Sequence, residues 1–93
     1  MSQFRVDPAE LNRHLVSVYK STRKKEMYLY VDKKQGLVQV PDSLQGMFGK
    51  PQLVIDILLS PNRKLARVSA EEVLRNIAEN GYFLQMPPTP DAL

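Results

Sequence analysis

Met27-Tyr28-Leu29-Tyr30-Val31 is the stretch on which the fold turns. It is uncharged and rich in aromatic and β-branched side chains. Charged loops bound it, Arg23–Glu26 before and Asp32–Lys34 after. That is the composition of a strand inside a sheet. Tyr28 and Tyr30 share one face; Met27, Leu29 and Val31 share the other. Both faces are largely apolar, so both are expected to be covered.

Leu15–Tyr19 reads as the preceding strand, with Val16 and Val18 on one face. The polar Lys20–Glu26 connection has hairpin length, which makes these two strands antiparallel. Leu37–Val40 is expected as a brief edge strand. Pro41 opens a helix at its first position, with Leu44, Met47 and Phe48 as the buried stripe. Gly49 and Pro51 end it. Gly46 inside that helix is read as a site of close packing. Leu53–Leu59 is the most hydrophobic run and is expected as a central strand, with Asp56 its one acid.

Ser60–Arg63 is a turn, and Leu65–Val68 is expected as a further short strand or an extended approach. Ser69 and Glu72 have capping-box spacing, Val68 and Val73 can form a hydrophobic staple, and Gly81 is placed for a left-handed stop. A helix over Ala70–Asn80 follows, with Val73, Leu74, Ile77 and Ala78 facing inward. Tyr82–Met86 is the last strand, closed by Pro87 and Pro88. At the start, Ser2–Arg13 is either a small docked helix begun by Asp7, Pro8 and Glu10 or a frayed terminus; at the end, Thr89–Leu93 reads as a tail. The expected fold is α+β. It is a small α/β/α-type sandwich, with a mainly antiparallel four-stranded sheet covered by helices. Residues 1–13 read as an N-terminal extension, 14–88 as one domain and 89–93 as a C-terminal tail.

Composition narrows the chemistry. Ninety-three residues suit one domain with one core, and leave little length for a deep catalytic cleft as well. With no cysteine there are no disulfides, thiolate metal sites or cysteine nucleophiles. No apolar run reaches the roughly 20 residues that span a bilayer, and Met1–His14 has no signal-peptide core. The expectation is a soluble cytoplasmic protein. A net charge of +3 permits an anionic partner without requiring one.

An ordered series of motifs carries a family resemblance. Val18-Tyr19-Lys20-Ser21, Met27–Val31, Val40-Pro41, Phe48-Gly49-Lys50-Pro51, Arg63-Lys64-Leu65-Ala66 and Gly81-Tyr82-Phe83-Leu84-Gln85-Met86-Pro87-Pro88 resemble, in sequence and spacing, the YcgL family of small proteins from Gram-negative bacteria. The resemblance covers about His14–Pro88 and implies a small α/β sandwich. The family is uncharacterised, so it implies no catalytic or ligand residues. Members usually begin near His14, which marks residues 1–13 as an extension. Many carry a cysteine where this protein has Val16, which argues against a shared thiol chemistry.

Five features are candidates for function. His14, the single histidine, has no placed serine and carboxylate for a triad, and reads as a strand-edge surface residue. One histidine with scattered carboxylates gives no metal-ligand spacing, and the four glycines form no phosphate loop. Asp56 with Tyr28 and Tyr30 is a candidate sheet-face site; the blander reading is an acid paired with a cation on a neighbouring strand. Tyr19, Tyr28, Tyr30, Tyr82 and Phe83 are either stacking platforms for bases or core packing.

Lys20, Arg23, Lys24 and Lys25 in the hairpin, with Arg63, Lys64 and Arg67 before the last helix, would form one anionic-partner patch if the strands end on the same edge. The blander reading is a solvated surface. The Pro-Pro-Thr-Pro end could dock on a partner as an extended segment. Taken together, these features predict a non-catalytic binding or adaptor protein with a protein partner. The alternative is a weak RNA- or DNA-binding module. No cofactor, metal or membrane role is expected, and an enzyme least of all.

Overall fold

A computed structural model describes residues 14–65 and 67–87. The expected helix in Ser2–Arg13 and the tail Thr89–Leu93 lie outside the described residues. The elements are β1 (His14–Lys20), β2 (Tyr28–Asp32), α1 (Asp42–Phe48), β3 (Gln52–Leu59), α2 (Ala70–Asn80) and β4 (Phe83–Gln85). The four strands form one antiparallel sheet in the order β3-β1-β2-β4. The architecture is the expected small α+β sandwich.

The β1–β2 hairpin closes with Ser21 N donating to Met27 O at 3.0 Å. The Ser21 hydroxyl caps the tight part of the loop, accepting from the amides of Arg23 and Lys24 at 3.0 and 2.9 Å. The same hydroxyl donates to the Phe48 carbonyl, and Thr22 Oγ1 donates to the Lys50 carbonyl at 3.0 Å. The hairpin is thereby tied to the end of α1. Gly49 lies there at φ 81°, and a Cβ on it would run into Thr22 and Arg23.

One face of the sheet packs on α2. Val16, Val18, Tyr30 and Leu59 are buried with Ala70 and Val73, and Leu74 and Ile77 lie against them. The other face buries Met27, Leu29 and Val31 under Val40 and Phe48. Burying a side chain of this size fully is worth about 1.5–3 kcal/mol over its exposed state. The caps of α2 are those its sequence specifies. Ser69 Oγ accepts from Glu72 N at 3.0 Å, and Gly81 sits left-handed at φ 91° with its N–H on the Ile77 carbonyl.

Several expectations are corrected. Leu53–Leu59 forms an edge strand rather than a central one. Apolar residues on both faces signal a covered strand, yet Leu53, Val54 and Ile55 are each about half exposed, at 49–52%. The reason is width. Four strands span about 19 Å, whereas one helix with its side chains covers about 10–12 Å. A single helix on each face therefore leaves the outer strand partly bare.

A register shift between Val18 and Tyr19 pairs Tyr19 with Leu53 and leaves Val54 without an opposite residue. Strict alternation along β3 ends there. Leu37–Val40 is turned rather than extended, with Val40 N bonded to the Leu37 carbonyl at 3.1 Å. Before α2, where a short strand or an extended approach is expected, the pairing is an isolated Lys64–Ser69 bridge. Pro41 is the N-cap of α1, not its first helical residue. Met47 and Ala78 are not buried: both are exposed. Gly46 has open space where a Cβ would stand, so close packing does not account for it.

Candidate functional site

The register separates the sequence-predicted site residues. Val18 pairs with Tyr30 and Lys20 with Tyr28, so both tyrosines share the α2 face with Val18. Ser17 pairs with Val31 and Asp56, which places Asp56 on the opposite face. Asp56, Tyr28 and Tyr30 therefore do not meet in one site.

Asp56 accepts from Ser17 Oγ at 2.6 Å and from Lys33 Nζ at 2.8 Å. The lysine, just past β2, reaches over β1 to do so. Its ammonium and the serine hydroxyl hold the Asp56 carboxyl below the usual carboxylate range, and Asp56 raises the Lys33 ammonium in return.

The basic residues divide as well. Lys20, Arg23, Lys24 and Lys25 are exposed at the hairpin end of the sheet. Arg63 Nη1 donates to the Leu58 carbonyl at 3.2 Å, and Leu58 lies opposite Leu15. Lys20 is five residues further along β1, about 17 Å away. β1 and β3 are antiparallel, so the end of one lies beside the start of the other, and the expected patch is split between the two ends. Arg67 is the exception. The backbone returns over the α2 face before the helix and brings Arg67 to the last residue of the hairpin loop, Glu26.

Arg67 there joins Tyr28 and Tyr30 around a concavity of about 410 Å3, completed by Val18, Glu26, Leu65 and Gln85. Gln85, the last residue of β4, is buried. It stands opposite Tyr28, and the Tyr30 ring packs edge-to-face on Phe83, its own partner, at 5.9 Å and 65°. The Tyr30 hydroxyl reaches diagonally to Gln85. With the Gln85 amide oriented to satisfy both neighbours, its nitrogen donates to Tyr30 Oη at 2.8 Å. Its oxygen accepts from Arg67 Nη2 at 2.7 Å and Nε at 3.2 Å.

Burial pushes the Tyr30 hydroxyl above its ordinary pKa, against the pull of the Arg67 guanidinium. Glu26 closes the rim in a left-handed backbone conformation, φ 61°, which is uncommon for a side chain of this kind. All five candidate aromatics pack in or against a core cluster, though only Tyr30 is buried. Tyr30 is in one core cluster, with Tyr28 and Phe83 against it, and Tyr19 and Tyr82 pack on the other. Tyr28 also faces the concavity beside Arg67 and Glu26.

Sequence reasoning missed Gln85 and Glu26. One signal for Gln85 was present: a polar residue two places after Phe83 on a short strand must face the same side as Phe83. Among the described residues no three His, Asp or Glu side chains gather to hold a metal ion, and no helix is long and apolar enough to cross a membrane.

Comparison with known proteins agrees on one family. A family model described as the YcgL domain matches residues 16–88. A YcgL domain-containing protein of Hahella chejuensis is 51% identical over 80 residues, covering 86% of this protein and 76% of that one. Its counterpart in Pseudomonas paraeruginosa is 55% identical over 76 residues, covering 82% and 78%. That of Hydrogenovibrio crunogenus is 56% identical over 75 residues, covering 81% and 77%.

Proposed function

The chain belongs to the YcgL family, and from that premise we propose that it is a non-catalytic cytoplasmic binding protein acting through a protein partner. The observation that carries this is the bare edge of the sheet. β3 runs for eight residues with a single charge, Asp56, already engaged by Lys33 and Ser17. Leu53, Val54 and Ile55 are half exposed, and Leu15 and Leu58 nearly so, at 44% and 43%. Natural edge strands are blunted by lysines, prolines or a covering element. Among the described residues no strand pairs with the outer side of β3. Its free N–H and C=O groups suit an extended apolar segment of another protein, added as a fifth strand.

A photo-crosslinking side chain at Ile55 tests this in cells, with one at the exposed Arg75 of α2 as the control. A discrete heteromeric adduct at 55, absent at 75 and abolished by Leu53→Lys, is expected. Equal labelling at both positions refutes the edge as the docking surface. A crosslink to a second copy of this protein would replace the adaptor reading with self-association.

Nucleic-acid binding is the second reading. It is supported by the exposed Lys20, Arg23, Lys24 and Lys25 at one end of the sheet. Fluorescence anisotropy with single-stranded RNA and duplex DNA decides it. Saturable binding that falls steeply with salt and is lost on charge reversal of Lys24 would put it first. No binding at low salt removes it.

A further inference from the structure

We propose that the concavity between β2, β4 and the segment before α2 is a binding site for a carboxylate carried next to an apolar or aromatic group, with Arg67 as the receptor. A guanidinium has five N–H donors in two edges that each match a planar acceptor. The buried Gln85 oxygen takes the Nε/Nη2 edge at 3.2 and 2.7 Å. Gln85 is in turn held by Tyr30 Oη at 2.8 Å, so the plane of the guanidinium is fixed from behind.

The other edge, Nη1/Nη2, makes only long contacts. Its neighbours are both on Glu26: the carboxylate 3.7 Å from Nη1 and the backbone carbonyl 3.5 Å from Nη2. Both distances exceed the 2.7–2.9 Å of a charge-assisted hydrogen bond. The Glu26 side chain is 61% exposed, so an ion pair there is weak and exchangeable. Glu26 stands beside the place of a carboxylate without filling it.

The rest of the concavity sets the ligand class. Arg67 is its one cation and Glu26 its one anion among the described residues. A singly charged carboxylate that displaces Glu26 is matched by this balance, whereas a phosphate dianion would face one cation and one carboxylate. Val18, Leu65 and the Tyr28 ring supply an apolar wall for the group beside the carboxylate. In the orientation that satisfies Gln85, the Tyr30 hydroxyl accepts from the amide, and its own proton remains to donate. The source of such a carboxylate is either a small organic acid or the free C-terminus of a peptide.

Two-dimensional 15N NMR titrations of the full-length protein test the site. The probes are 3-phenylpropanoate, the tetrapeptide Ac-Ala-Ala-Ala-Phe with a free C-terminus, the primary amides of both, and inorganic phosphate. Both acids are expected to shift the amides of Tyr28, Arg67 and Gln85, with the corresponding carboxamides at least about tenfold weaker. Phosphate should not compete.

The tetrapeptide binding about tenfold tighter than phenylpropanoate assigns the site to peptide C-termini; equal affinity assigns it to small acids. Arg67→Gln, at an exposed position, should abolish binding while leaving the remaining spectrum folded. Glu26→Gln removes the competing charge and should tighten the acids about threefold. Amides binding as well as acids overturns the proposal. So does retention of binding in Arg67→Gln, weaker binding in Glu26→Gln, phosphate competing as well as the acids, or no shift at about 10 mM of either acid.

Discussion

Tyr30→Phe removes one oxygen from the series of contacts that runs from β2 through β4 to Arg67. The ring stays, and with it the edge-to-face contact on Phe83 at 5.9 Å. What is lost is the acceptor for the Gln85 amide, 2.8 Å away, on a residue only 9% exposed. A buried amide left without its partner costs about 1–3 kcal/mol. Little cavity forms, because one hydroxyl oxygen is all that leaves. A loss of about 1.5 kcal/mol is expected, which for a domain of this size lowers Tm by about 6–12 °C.

Gln85→Leu in the Tyr30→Phe background should then cost less than it does alone, because both members of the pair are gone. A coupling of about 1 kcal/mol between the two positions is expected from urea-unfolding midpoints of the four proteins. The hydroxyl also gives an alkaline signature. Its folded pKa is raised by burial. Its contribution to stability is therefore complete below the unfolded value near pH 10, and is lost as pH rises through the folded one. Tyr30→Phe should lack that part of the alkaline decline. A variant within about 0.3 kcal/mol of the parent, or a strictly additive cycle, would refute the buried Tyr30–Gln85 link.

The two helix glycines should respond in opposite directions. Gly46→Ala meets open space inside α1 and should stabilise by about 1 kcal/mol. Gly81→Ala places a Cβ against Gln39 at φ 91° and should cost about 1–2 kcal/mol, both read by thermal unfolding. Asp56 has its folded pKa lowered by Lys33 and Ser17. Its contribution is present above the unfolded value near pH 4 and lost as pH falls through the folded one; Asp56→Asn should flatten that part of the acid-unfolding curve. Ser69→Ala removes the acceptor of Glu72 N and should cost about 1 kcal/mol in urea unfolding, with hydrogen exchange rising first in the opening turn of α2.

How much of the site is legible in the sequence follows from sequence separation. Tyr28, Tyr30 and Arg67 stand out by residue type, but local pattern groups each with the wrong neighbours. The tyrosines join Asp56 because all three sit on apolar strands. Arg67 joins Arg63 and Lys64 because they are near in sequence. Which face Asp56 takes depends on its register with Ser17, and a shift of one residue would reverse it. The Tyr30–Gln85 pair spans 55 residues, and no local pattern announces a contact of that length.

By itself, the sequence determined whatever is decided within a few residues. The β1–β2 hairpin follows from two apolar runs and a polar loop between them. The bounds of α2 follow from Ser69 at one end and Gly81 at the other, where a side-chain acceptor and a left-handed backbone each act on the nearest turn. The α+β class follows from the alternation of such elements. Tertiary structure alone decided strand order, and with it the exposure of β3. Periodicity reports that both faces of a strand are apolar, but two helices are too narrow to cover four strands, and which strand is left outside depends on pairing between distant segments. The same pairing carried Arg67 away from its neighbours in sequence and set its guanidinium between Gln85 and Glu26.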